Sequence, residues 1–99
     1  MVTVAKFKTA PESVTVGTSS VLVLAANTNR YGATFVNDSV NKVYLAINAD
    51  AVSGKGILIV ANGGSYEINN TNITHDVINA IATGAGSELV VLEANSSDV

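Results

Sequence analysis

The sequence predicts an all-β fold, an antiparallel β-sandwich or jelly-roll-like barrel of about eight strands, and three observations carry that prediction. Short segments rich in Val, Ile, Leu and Tyr recur roughly every 8 to 12 residues between clusters of Gly, Asn and Ser. Several of these segments alternate apolar and small or polar residues, the two-residue period of a strand. The 99 residues are 47% apolar and only 13% charged, with no cysteine, so one domain must hold together by packing alone.

Strands are expected at residues 2–7, 13–16, 21–24, 31–37, 42–47, 56–60, 65–69, 76–82 and 88–94. The first, within "MVTVAKFKTAP", alternates and is cut off by Pro11, which cannot donate to a ladder. Residues 1–12 are therefore expected to be an arm that pairs with a neighbouring subunit or another protein surface, or an edge strand of the chain's own sheet. Residues 13–94 form a single β domain.

In "YGATFVN" Tyr31, Ala33 and Phe35 share one face, and in "KVYLAI" Val43, Leu45 and Ile47 do the same. Both faces suit one core. The reverse faces, with Gly32, Thr34 and Val36 on one strand and Tyr44 and Ala46 on the other, are less polar than open solvent usually demands, which predicts a second contact over them. Between these strands "NDSVNK" has the length and the Asn and Asp content of a hairpin connection.

"NADAVSGKG" predicts a longer Gly-bearing loop, and Asn62, Gly63 and Gly64 a tight reversal into the next strand. In "THDVINAIATG" Val77, Ile78 and Ile81 also fit helical spacing, so one short helical turn near residues 76–82 competes with a strand there. "SELVVLEA" is apolar on both faces and reads as a central strand, and residues 95–99 read as a frayed tail.

Five Lys and Arg against eight Asp and Glu argue against binding nucleic acid, whose phosphates demand basic residues. No apolar run approaches the roughly 20 residues of a membrane span, and no secretory signal is visible. The sole histidine, His75, stands beside Asp76, yet no Gly-x-Ser-x-Gly elbow presents a nucleophile to it. "SGKG" lacks the earlier Gly and the final hydroxyl of a phosphate loop, so Gly54 and Gly56 read as turn residues and Lys55 as a loop-tip charge. Asp38, Asp50, Glu67, Asp76 and Glu88 are scattered singly, with neither the pairing of a glycosidase nor the spacing of a calcium loop. The expectation is a non-enzyme with no catalytic, cofactor-binding or metal-binding residues. Tyr31, Tyr44, Tyr66 and the many Asn keep a sugar-binding face in view.

The run "VTVGTSSVLVLAANTNRYGATFVNDSVNKVYLAI", then "GGSYEI", then an Ala and Gly segment and "ELVVLEA", resembles a group of short structural proteins of tailed bacteriophages. The elements that carry the resemblance are Ala26, Asn27 and Arg30, then Asn37 and Asp38, Tyr44 and Leu45, and Gly63 to Glu67, across residues 14–93. It implies a virion protein of the head decoration, or cement, type: a β-sandwich that binds the major capsid protein on the capsid exterior, commonly as a homotrimer, made in the host bacterial cytoplasm. The alternative is a virion-displayed head-fibre or tail module that binds a host glycan or receptor. Val2, Val4, Phe7, Arg30 and Tyr44 are the expected capsid or subunit interface residues.

Overall fold

The computed structural model describes residues 3–7 and 12–98, so Val2 and Pro11 lie outside the described residues. Among them are nine strands: β1 (Thr3–Phe7), β2 (Glu12–Val16), β3 (Val21–Leu24), β4 (Arg30–Asp38), β5 (Val43–Ile47), β6 (Ile57–Ile59), β7 (Ser65–Ile68), β8 (Ile78–Ala82) and β9 (Ser87–Asp98). Every expected strand is present. The helical turn near residues 76–82 is not: Ile78, Ala80 and Ala82 point into the core and Asn79 and Ile81 away from it, a strand period enforced by pairing on both sides.

The strands form two antiparallel layers, β7-β4-β9 flanked by β2 and β1, and β3-β8-β5-β6. Strand β2 pairs with β9, β3 with β8, β4 with β7 and β5 with β6, a nested set of partners that amounts to one long hairpin. Pairing of β4 with β9 and of β5 with β8 rolls that hairpin into two facing sheets, which is a jelly roll. Strand β1 is an addition to the eight.

This topology corrects one expectation about a turn. "NDSVNK" is not a hairpin connection, because β4 lies in one sheet and β5 in the other. It is an arch between layers, held by Asn37. The Asn37 side chain is fully buried and donates from Nδ2 to the carbonyls of Asn41 (2.7 Å), Ile59 (3.1 Å) and Val60 (3.2 Å), while its Oδ1 accepts from Ser39 Oγ (2.7 Å). A strand end whose neighbouring carbonyls are taken by a side chain turns toward the other layer instead of laddering with its successor. The hairpin of adjacent strands is β5–β6, across the longer 48–56 loop. There Gly56 sits at φ +89°, and a Cβ on it would collide with the Leu45 carbonyl oxygen, so only glycine closes this loop.

The core is filled from both layers, by Val16, Ala33, Phe35, Leu89 and Val91 on one side and Val43, Leu45, Ile59, Ile78 and Ala80 on the other. Two bulges adjust which residues reach it. In β3 the register slips between Leu22 and Leu24, so Val23 and Leu24 are both buried. In β4 it slips between Arg30 and Gly32, and Tyr31 is the extra residue. Ala33 and Phe35 are buried as expected, but the slip moves Tyr31 off their face and places Arg30 inside instead, at 1% exposure. Ile47, at the end of β5, is 37% exposed rather than packed.

Residues 95–98, expected as a frayed tail, continue β9, whose 12 residues run the length of a molecule 45 Å long. They pair with β1, from Phe7 opposite Ala94 to Thr3 opposite Asp98. Within the chain, strand β1 thus lies along the edge of its own sheet. It and β2 flank the same side of β9, and between them the chain advances from 7 to 12 while β9 runs only from 94 to 91.

Candidate functional site

Four places hold polar or exposed groups that the core does not absorb. The first surrounds Arg30. Its Nε donates to Glu93 Oε2 at 2.8 Å, Nη1 to the carbonyls of Thr74 (3.0 Å) and Asp76 (2.8 Å), and Nη2 to the carbonyl of Ala25 (2.6 Å). Both side chains are buried, at 0% and 5% exposure. The guanidinium's donors are thus spent on closing one end of the sandwich, where the β3–β4 and β7–β8 loops meet β9. Arg30 was expected at a capsid or subunit interface. Its burial removes it from any surface, and its role is to join loops.

Glu93 gave a signal in the sequence that the run "ELVVLEA" hid: it falls in phase with Leu89 and Val91, so a carboxylate had to enter the core and meet a cation. Asn37 gave the same signal, in phase with Ala33 and Phe35.

The second place lies on the outer face of the β7-β4-β9-β2 sheet. Asp38 and Glu88, distant in sequence, stand directly opposite each other on β4 and β9. Like charges so placed repel. Two hydroxyls offset this: Ser13 and Thr15 on β2 donate to Glu88 Oε2 (2.6 Å) and Oε1 (2.7 Å). The Ser13 hydroxyl first, and Thr15 next, hold the Glu88 carboxyl below its ordinary value against a small opposing effect of burial. A depressed folded-state value means that the stabilisation is present above the unfolded value, about pH 4.3, and is lost as pH falls through the folded one. The double variant Ser13→Ala/Thr15→Val is expected to lower the urea midpoint at pH 7, with the gap from the parent narrowing toward pH 3. Equal gaps at both pH values would mean that the hydroxyls act only through packing.

His75 is exposed on the β7–β8 loop, and among the described residues its ring makes no hydrogen bond to a serine or a carboxylate. Asp76 Oδ2 instead accepts from Thr74 Oγ1 at 3.5 Å. No group of three or more His, Cys, Asp or Glu among the described residues is placed to hold a metal ion.

The third place is the outer face of the β3-β8-β5-β6 sheet. Ile81, Tyr44 and Leu58 are direct cross-strand partners and form one apolar row over three strands. Leu22, Asn79 and Ala46 form the next. Leu22 is 56% and Leu58 45% exposed, Val60 just beyond β6 is also exposed, and the six residues of the two rows include no charge. Tyr44, one of the expected interface residues, lies at the centre of the first row. Of the other expected residues, Val4 and Phe7 belong to β1, paired with Ser97 and Ala94.

The fourth place is a groove of about 290 Å³ beside the β4 bulge, walled by Tyr31, Thr34, Glu67, Asn69 and Asn70.

Compared with known proteins, the chain significantly matches no family model, no curated protein and no solved structure.

Proposed function

We propose that the chain is a structural protein of a tailed-bacteriophage virion, a head decoration protein that binds the assembled capsid from outside through the outer face of the β3-β8-β5-β6 sheet. The single observation that carries the reading is the uncharged double row on that face, Ile81-Tyr44-Leu58 and Leu22-Asn79-Ala46. A sheet face in permanent contact with water alternates toward charge, whereas the core of a protein interface is depleted of it. The resemblance of the sequence to short phage structural proteins suggests the capsid as the partner, and a homotrimer would present three such faces around a local threefold axis.

A clamp of this kind needs no chemistry. A protein that binds the assembled shell more tightly than its free subunits stabilises assembly by linkage. Jelly rolls serve many functions, so the fold by itself argues neither for nor against the capsid.

The test is co-sedimentation of the purified protein with decoration-free capsids. The parent should pellet with them, and Leu58→Glu should bind at least about tenfold more weakly. Leu58 is half exposed on a three-residue edge strand, so the variant should melt close to the parent. A parent that stays in the supernatant removes the decoration reading, and a Leu58→Glu protein that pellets like the parent moves the contact to another face. Light scattering at high concentration tests the trimer.

A further inference from the structure

We propose that the groove beside the β4 bulge is a binding site for a neutral saccharide, with room for roughly one or two sugar rings. It opens on the outer face of the opposite sheet, so it does not rest on capsid docking, and a decorated virion would still present it.

The groove exists because of two small residues and one slip of register. Gly32 and Ala94 are direct partners across β4 and β9, and their small size keeps the sheet low at this point; both are buried, so what a ligand meets is the surrounding rim of Tyr31, Thr34, Glu67, Asn69 and Asn70. The bulge at Tyr31 turns that ring away from the core, so it stands beside the gap rather than under it. Thr34 and Glu67, partners across β4 and β7, form the other wall, and Asn69 and Asn70 close the end. Gly32 is held to glycine by more than the groove: a Cβ there would lie 3.1 Å from the Ile68 carbonyl oxygen.

The ligand class follows from what these groups can satisfy. Asn69 is fixed by the turn it starts, its Oδ1 accepting from the Thr71 amide (2.9 Å) and hydroxyl (2.6 Å), and its Nδ2 reaching Glu67 Oε1 at 3.4 Å. That leaves a second amide proton on Asn69, the Glu67 Oε2, the Asn70 amide and the Tyr31 hydroxyl, none of which makes a hydrogen bond with the described residues. An anion would meet the Glu67 carboxylate with no Lys or Arg among the described residues of the wall to offset it. A purely apolar ligand would strip water from a carboxylate and two amides without return. The basic side chain of a peptide would suit Glu67 and the Tyr31 ring, but it carries only donors and leaves the amide protons without acceptors. A sugar ring has hydroxyls that both donate and accept, and an apolar C–H face that lies against an aromatic ring.

The experiment is a ¹⁵N-edited NMR titration of the whole chain with methyl glycosides of glucose, galactose, mannose and N-acetylglucosamine, with blocked lysine and blocked arginine as competitors for the assignment. At least one glycoside should shift the amides of residues 31–34, 67–70 and 94 with a Kd of about 1 mM. Tyr31→Ala and Glu67→Gln should each weaken it at least about tenfold, and Glu67→Gln, on an exposed side chain, should keep the parent's spectrum elsewhere. The inference is overturned by a panel in which no glycoside moves these amides, by glycoside shifts that survive both substitutions, or by shifts from blocked lysine or arginine alone. That last outcome would make the groove a peptide site.

Discussion

Replacing Arg30 with Met is expected to destabilise the protein by about 3–5 kcal/mol and to lower its melting temperature by roughly 12–25 °C. The methionine keeps the apolar stem and removes a guanidinium that makes hydrogen bonds to three carbonyls and one carboxylate, all at 2.6 to 3.0 Å. Two costs add. A buried carboxylate, Glu93, loses the cation beside it, and the carbonyls of Ala25, Thr74 and Asp76 lose their donors. Arg30→Lys should recover only part of the loss, because a single ammonium cannot reach in four directions at once. Adding Glu93→Leu to Arg30→Met should restore part of the stability, since it removes a buried carboxylate whose charge the guanidinium offset. Urea denaturation of the four proteins measures this directly. An Arg30→Met protein within about 1 kcal/mol of the parent would show that water replaces the guanidinium and that the end of the sandwich is wet.

That result also bears on function. An interface screen based on charge would choose Arg30 first, and a variant there would bind poorly whatever the partner. The cause would be loss of the loop junction at 25–29 and 69–77. Substitutions at Leu58 or Glu67 avoid the confusion, because both side chains are exposed on edge strands and contribute little to the core.

Strand positions were legible in the sequence because short runs of Val, Ile, Leu and Tyr, several of them alternating, are each bounded by turn residues, and both signals act locally. Strand partners were not. The residues of "YGATFVNDSVNKVYLAI" require that Ala33 and Phe35 face the same core as Val43 and Leu45, and a hairpin within one sheet and an arch between two sheets meet that requirement equally. What decides between them is a side chain, Asn37, and its acceptors at Ile59 and Val60, which lie more than twenty residues away.

The same distance hid the sites. Tyr31 counts as a core residue by alternation until the bulge opposite Ala94 shifts it outward, and Arg30 counts as a surface charge until that shift turns it inward. Asp38 and Glu88 looked isolated because only the β4–β9 pairing, fifty residues apart, brings them together. The apolar outer face was legible in part: Tyr44 and Ala46 stood out as too apolar for solvent, but their neighbours Ile81, Leu58 and Leu22 depended on sheet order.

Asn37→Asp should be the second large effect, and its dependence on pH separates a polar clamp from simple filling of space. The substitution is nearly isosteric, so packing is preserved. Asn37 faces three carbonyl oxygens through Nδ2, and an ionised carboxylate in its place has no proton to give them. Full burial and the facing oxygens both disfavour the charge, so the introduced group's pKa is raised in the folded state above its unfolded value of about 3.9. A raised folded value contributes stability that is fully present below the unfolded value and is lost as pH rises through the folded one. The variant should therefore lie closest to the parent near pH 4, where the neutral acid still donates one hydrogen bond, and fall behind by at least about 3 kcal/mol at pH 7. Asn37→Ala should cost about 2 kcal/mol or more at both pH values, because the orphaned carbonyls do not titrate. Unfolding both variants and the parent in urea across this range gives the difference curves, from which the ordinary carboxylates of the chain cancel. A pH-independent gap for Asn37→Asp would mean that water reaches the arch and solvates the charge, and that the turn between the layers is held by its backbone bonds from Asn37 to Gly63 and Gly64 rather than by the side chain.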